Sequence, residues 1–306
     1  MRLAILLPCY QEEATIAATV AAFSRARPDA VVYVYDNNST DRTAERAAAA
    51  GAIVRHERRQ GKGNVIRRMF ADIEADVYVM SDGDATYDAS RVDELIRLVV
   101  EEKIDMVVAA RVPQDGTAMR TGHAFGNALF NRVADWLFGS EFKDIFSGYR
   151  AFSRRFVKSL PITTDGFEIE TELTVHAIDL RVPVAEIPLP FGNRPAGSES
   201  KLRTARDGLR ILWALLILTK EIRPFSFFAF WAALAAIVSL ILAYPLLVTF
   251  LQTGLVPRLP TAVLATGIAL LAFLSLGCGI VLDSVSRGRH EVKRLRYLEI
   301  PAPDFG

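Results

Sequence analysis

Cysteine is nearly absent from this chain: there are two in 306 residues, Cys9 and Cys278, at opposite ends. That pair builds neither a disulfide framework nor a cysteine-based metal centre, so a reducing compartment is the default. Net charge is nearly absent too, at +1, which excludes a nucleic-acid binder working through bulk positive charge. No sequence repeat or low-complexity tract occurs, and 51% hydrophobic content excludes a disordered chain. The opening MRLAILLPCYQEE carries one positive charge and a short apolar stretch before its acidic residues. A secretory signal needs a longer apolar region, so the expectation is a buried first strand in a cytoplasmic domain.

What is present is unevenly distributed. Through Gly197 the chain has 24 basic and 28 acidic residues, while the remaining 109 residues have 12 basic and 7 acidic. The second part also holds almost all the long apolar runs, which divides the chain into an acidic soluble domain and a basic-flanked membrane module. No residue is charged from Pro224 to Pro257. Within it, Phe225 to Leu251 would span about 40 Å as a helix, enough for a hydrocarbon core of about 30 Å. Thr261 to Leu282 would span about 33 Å. Gln252 to Pro260 is short and holds Gly254, Pro257 and Pro260, as a tight hairpin connector would, and Pro245 predicts a kink in the first helix. Both stretches lack the polar periodicity of a buried pair in a soluble protein. Lysines and arginines crowd both outer flanks and the connector has only Arg258, so the positive-inside rule puts both ends in the cytoplasm. The expected layout is a cytoplasmic domain over 1–200, an amphipathic interfacial helix over 201–223, transmembrane helices within 224–283 and a basic cytoplasmic tail over 284–306. The chain would be multi-pass in the cytoplasmic (inner) membrane, with self-association through the transmembrane helices as one expected partnership.

In the first 110 residues short apolar runs alternate with helical patterns. Strands are expected at Arg2–Leu7, Ala30–Tyr35, Ala52–Arg55, Asp76–Met80 and Ile104–Ala110. Helices are expected near Glu12–Arg25, Thr40–Ala50, Gly63–Glu74 and Arg91–Glu102. This alternation implies an α/β fold, with a mainly parallel, Rossmann-like sheet covered on both faces. Ligands then bind beyond the carboxyl ends of the strands, where Tyr10–Glu12, Asp36–Asp41 and Asp82–Asp88 collect.

Asp82-Gly83-Asp84 is the main chemical signal. Two carboxylates one residue apart at a strand end can hold a hard divalent cation, Mg2+ or Mn2+, which commonly bridges a diphosphate and neutralises leaving-group charge. In Asp36-Asn37-Asn38-Ser39 a carboxylate can accept hydrogen bonds from a nucleobase or ribose, a role compatible with Ser39 or Thr40 capping the next helix. Gln60-Gly61-Lys62-Gly63 invites a phosphate-cradle reading but is too short for a Walker loop; Lys62 can still face a nucleotide. Glu168, Glu172 and His176 share a helix face, either for sugar recognition or a second metal, or simply as a polar surface.

In this order the blocks LLPCYQEEATI, YDNNSTDRT, GKGNVIRRMF and SDGDATYD resemble glycosyltransferase family 2 with a GT-A fold. FSGYRAF and FGNRPAGSESKLRTARDGLRIL resemble its polyprenyl-phosphate sugar transferases, the dolichol-phosphate mannose synthase-like group. The resemblance covers roughly Met1 to Leu212, and the C-terminal hairpin is similar to that of membrane-anchored members. It implies an inverting transfer of one hexose or N-acetylhexosamine from a UDP- or GDP-linked donor to polyprenyl phosphate on the cytoplasmic leaflet. Carried over, Pro8, Tyr10, Glu12 and Asp36 line the nucleotide pocket with Asn38 and Lys62 beside them. Asp82 sits near ribose and diphosphate, and Asp84 is the principal metal ligand. Relatives often place a glutamine two positions after the second aspartate; Thr86 stands here, leaving the third ligand to Asp88 or water. Arg111, Ser147, Arg150, Arg194 and Lys201 match an acceptor-phosphate cradle, and GFEIETELT places Glu168 and Glu170 towards the sugar.

The cradle also makes sense on charge. A phosphate monoester has a second pKa of about 6, so its oxygen attacks without a strong general base. What it needs is cations that hold it in line against an anionic donor, a task suited to arginine. A hydroxyl acceptor would instead require a carboxylate base such as Asp144 or Glu168. A silent nucleotide-sugar-binding membrane anchor is the alternative of another class.

Overall fold

The computed structural model describes residues 1–113, 142, 144–166, 168–192, 216, 217, 219, 220 and 223–301. The chain divides into two units, Met1–Ala214 with Lys293–Gly306, and Leu215–Val292.

The first unit is built on a seven-stranded sheet. Its strands are β1 (Leu3–Cys9), β2 (Val31–Asp36), β3 (Ile53–His56), β4 (Val77–Met80), β5 (Met106–Pro113), β6 (Arg150–Ser153) and β7 (Val184–Phe191). Their order is β3-β2-β1-β4-β6-β5-β7. All pairings are parallel except those of β6, which runs antiparallel to β4 and β5. β1 is buried along its whole length. Successive side chains of a strand point to opposite faces, and the core divides accordingly. Leu6, Tyr35 and Met80 join one apolar cluster, while Ile5, Leu7, Val34 and Val79 join the other.

Helices α3 (Lys62–Asp72), α5 (Arg154–Ser159) and α6 (Ile169–Leu180) cover the first face. On the second lie α1 (Ile16–Ala26), α2 (Thr43–Ala49) and α4 (Val92–Val100). The three-layer α/β architecture expected from the alternation is therefore present. The strands β6 and β7 and the reversed direction of β6 are additions to that expectation. Because β2 lies on one side of β1 and β4 on the other, the strand order reverses at β1, the place beyond whose carboxyl ends open α/β sheets bind their ligands.

The second unit contains the two long apolar helices, α7 (Pro224–Thr253) and the membrane-length part of α8 (Leu259–Glu299). They pack through small residues: Ser239 Oγ donates to the Ala265 carbonyl at 2.8 Å and Ser275 Oγ to that of Phe228 at 3.1 Å. Their outward side chains, including Phe230, Leu240, Leu251, Leu271 and Phe273, are exposed apolar groups. α7 continues through Pro245, and Gly254 in the left-handed region (φ 71°) ends it. α8 runs past the expected end of the span to Glu299. Residues 293–300, expected in a tail, belong to the first unit. Most of the expected interfacial helix (201–215, 218, 221 and 222) lies outside the described residues.

Candidate active site

Strand register sets the site. Cys9 pairs with Asp36 across β1 and β2, and Leu6 with Met80 across β1 and β4. The segments Tyr10–Glu13, Asn37–Thr43 and Ser81–Thr86 therefore leave the sheet side by side. Each contains one non-glycine residue in the left-handed region, Gln11 (φ 55°), Asn38 (φ 63°) and Ala85 (φ 58°). Such conformations cost of order 1 kcal/mol or more and persist where the surroundings over-determine them. Here the second segment holds the first. Ser39 Oγ accepts from the Gln11 N–H at 2.9 Å, Thr43 Oγ1 from that of Glu12 at 2.8 Å, and Asp41 from that of Glu13 at 3.1 Å.

Asp36 is 3% exposed. Its Oδ2 accepts from the Ser39 N–H at 3.2 Å and lies 3.3 Å from His56 Nδ1; its Oδ1 is buried without a hydrogen-bond partner among the described residues. A buried carboxylate oxygen left in this state is costly unless a ligand donates to it. Asn37 and Asn38 serve the neighbouring loop. Asn37 bonds the carbonyls of Glu57 and Arg59 and the N–H of Gly61, and Asn38 the carbonyl of Arg58. Tyr10 is exposed beside the site, whereas Pro8 is a buried β1 residue paired with Tyr35. Glu12 is buried and accepts from Thr15 Oγ1 at 3.2 Å.

The Asp82–Asp84 loop is tightly seated. The Gly83 carbonyl accepts from Thr15 and Thr19 hydroxyls at 2.9 and 3.2 Å. A side chain at Gly83 would meet Cys9 Sγ at 2.6 Å. Asp84 is buried, and its Oδ1 accepts from Thr86 Oγ1 at 2.6 Å, so Thr86 orients the carboxylate. Asp82 lies against Gly148, where a Cβ would come within 2.6 Å of Oδ2. Its Oδ1 accepts from Lys62 Nζ at 2.5 Å, and Lys62 donates equally closely to Glu170. Burial disfavours the ammonium, but the two carboxylates more than offset this and raise its pKa.

The glycines around Lys62 permit a close approach between backbone segments. A Cβ at Gly61 would lie 2.1 Å from the Asp165 carbonyl oxygen, and one at Gly63 would lie 2.3 Å from that of Thr164. The Gly63 N–H donates to the Asp165 carbonyl at 3.0 Å, and Lys62 and Gly63 already belong to α3. The glycines thus let α3 seat against residues 164–165 and deliver Lys62 to Asp82.

The expected acceptor cations separate. Arg111 pairs bidentately with Asp144 at 2.7 and 2.8 Å, stacks over Phe191 at 5.5 Å, and keeps 31% of its side chain exposed. Although burial opposes both charges, their mutual hydrogen bonds hold Asp144 below the usual carboxylate range and raise Arg111. Tyr87 joins this end, accepting the Gly148 N–H at 3.0 Å and packing on Tyr149 and Phe191; burial, then the Asp82 charge, push its phenol up to about 12. Arg150 does not present a free fork. It is fully buried, with donors committed to the Ser147 and Ile145 carbonyls at 2.8 and 2.7 Å and to Thr174 Oγ1 at 2.8 Å. Burial pulls its pKa down to about 10. Ser147 is equally internal, donating to the Ala109 carbonyl at 2.5 Å. The expected phosphate contact by Arg150 and Ser147 gives way, in this geometry, to an internal brace joining the 145–147 turn to α6. Arg194 and Lys201 lie outside the described residues.

Glu170 is buried at the start of α6, and Glu168, partly buried, precedes it. Glu172 receives both N–H and hydroxyl groups of Thr163 and Thr164 at 2.5–3.0 Å. Glu172 and His176, 3.4 Å apart, therefore make a structural pair among the described residues. Sequence reasoning missed the Lys62–Glu170 pair, Tyr87 and Phe191, because each depends on contacts across the fold.

Among the described residues no group of three or more His, Cys, Asp or Glu side chains converges on one point. Asp82 and Asp84 supply the one or two carboxylates that a Mg2+-like ion usually takes beside substrate phosphates and water, with Asp82 Oδ1 here engaged by Lys62.

Residues 4–160 match the profile of glycosyl transferase family 2. The glycosyltransferase AglJ of Haloferax volcanii is 33% identical over 302 residues, covering 96% of this chain and 97% of that protein. A dolichyl-phosphate hexose transferase of the same organism is 27% identical over 209 residues, covering 68% of this chain and 90% of that one. Among solved structures, glucosyl-3-phosphoglycerate synthase from Mycobacterium tuberculosis in complex with Mn2+, UDP-glucose and phosphoglyceric acid superposes with a TM-score of 0.57 at 26% identity, covering 71% of this chain and 79% of that one.

Proposed function

The chain belongs to glycosyl transferase family 2, and on that premise we propose that it moves one hexose or N-acetylhexosamine from a uridine diphosphate sugar to a polyprenyl phosphate, with inversion, at the cytoplasmic face of a membrane. The observation that carries this reading is the register that places the Asp36 end of β2 and the loop carrying Asp82 and Asp84 after β4 on either side of β1, at the sheet's switch point, in a chain that also has two membrane-length apolar helices. The named activity of the Haloferax relative supports the lipid phosphate, and the basic flanks of the hairpin support a cytoplasmic site.

Asp36 supports the choice of uracil. One of its oxygens is already engaged, and Oδ1 is buried with no hydrogen-bond partner among the described residues. Uracil offers one imide N–H; guanine offers an N–H and an amino group together, which would call on both oxygens. Asp82 and Asp84 would hold the divalent ion, which when bound neutralises charge on the departing diphosphate. Lys62 adds a cation beside Asp82.

On the acceptor side, Arg111 is the expected cradle arginine that retains exposure among the described residues. It can hold a phosphate oxygen in line for attack while Asp144 keeps its guanidinium oriented. The depressed pKa of Asp144 makes it a poor general base, which favours an already ionised phosphate over a hydroxyl nucleophile.

The test is a panel of radiolabelled UDP- and GDP-sugars offered to the purified full-length protein with a short polyprenyl phosphate and Mg2+ or Mn2+. One UDP-sugar should yield chloroform-extractable label, and Asp84→Ala should abolish it. No extractable product with any donor would refute the reading.

A further inference from the structure

The last turns of α8 form an external cap for α6. That helix ends at Leu180, followed by Arg181 in the left-handed region (φ 52°), and has no basic residue in its own last turn. The carbonyls of a helix end lack intrahelical donors and carry partial negative charge. Here Arg294 Nη1 donates to the Leu180 carbonyl at 2.7 Å. Lys293 Nζ donates to Asp179 at 3.2 Å and lies 3.2 Å from His176 Nδ1.

A buried anchor holds the cap in place. The Tyr297 hydroxyl donates to Asp105 Oδ2 at 2.7 Å, and the Arg155 guanidinium lies over the Tyr297 ring at 4.8 Å. Arg155 Nε also donates to the Ile300 carbonyl at 2.9 Å, and Tyr297 belongs to the apolar cluster that contains Ile169, Leu173 and Leu180 of α6.

The other end of α6 carries Glu170, which grips Lys62 beside Asp82. A helix is stiff along its axis, so displacement at Leu180 moves Glu170. We propose that Arg294 and Lys293 are positioning residues for the donor site: by capping α6 they set its axial position and, through Glu170, the placement of Lys62. This goes beyond the proposed reaction and holds for whichever acceptor is used.

The experiment is amide hydrogen exchange on the full-length protein in detergent, without substrates. In Arg294→Gln/Lys293→Gln, amides of Gly63–Ile66 and of the first turns of α6 should exchange about tenfold faster, with β1 and β2 unchanged. Arg294→Lys, which keeps a cationic donor for the Leu180 carbonyl, should recover most of the protection. In a Glu170→Gln background the cap substitutions should have no further effect at Gly63–Ile66. Acceleration confined to residues 176–181 and 293–300 would overturn the proposal. So would equal acceleration in β1 and β2, or an undiminished effect without Glu170. If the double variant does not fold, the comparison is made with Tyr297→Phe, which removes only the hydroxyl that anchors the cap. Because no substrate is present, a wrong assignment of the reaction leaves these outcomes unaffected.

Discussion

Glu172 shows how a carboxylate that looks functional can be structural. Burial pushes its pKa up, but the neighbouring His176 and the hydrogen bonds from Thr163 and Thr164 win and pull it from 4.5 to about 2. A group depressed in the fold stabilises it fully above the unfolded value, and that contribution is lost as pH falls through the folded value. At about 1.4 kcal/mol per pKa unit, roughly 3 kcal/mol is at stake between about pH 5 and pH 2. Glu172→Gln should therefore be less stable at neutral pH, and its chemical-denaturation midpoint should fall less steeply with acid over that window. Parallel pH profiles for the two proteins would show that Glu172 carries no such linkage. At the same scale, Arg150 shows where sequence reading ends: its block matches an acceptor-phosphate cradle, yet the fold buries it and its donors face inward.

At the scale of elements, the decisive contact is between the start of α3 and residues 164–165. Gly61 has a φ of 128°, which penalises any side chain, and a Cβ there would collide with a backbone carbonyl that no rotamer change can move away. Gly61→Ala should cost about 3 kcal/mol or more and displace Lys62 from Asp82. Thermal unfolding together with donor affinity reads both effects, and a variant with unaltered stability would mean that the two segments do not pack so closely. The strands and helices of the first 113 residues are legible from period and turn residues, each being bounded by local signals. The Lys62–Glu170 pair is not: its members are 108 positions apart, and only the seating of α3 and α6 on one sheet face joins them. Nor did any pattern in Arg150–Ser153 mark its reversed direction, since a short buried strand reads the same both ways.

For the whole molecule, the division between an acidic α/β unit and an apolar hairpin was visible in charge and hydropathy, because composition alone separates water-facing from lipid-facing surface. The return of residues 293–300 to the first unit was not, because a basic helical segment suits a solvated tail equally well until Tyr297 and Ile300 are seen buried. The central claim is that an ionised lipid phosphate, rather than a hydroxyl, receives the sugar. It is tested most directly by offering the full-length protein polyprenyl phosphate and the corresponding polyprenol, equal in chain length, in the same micelles with one labelled UDP-sugar. Label on the phosphate alone is the predicted result; label on the polyprenol would contradict the account.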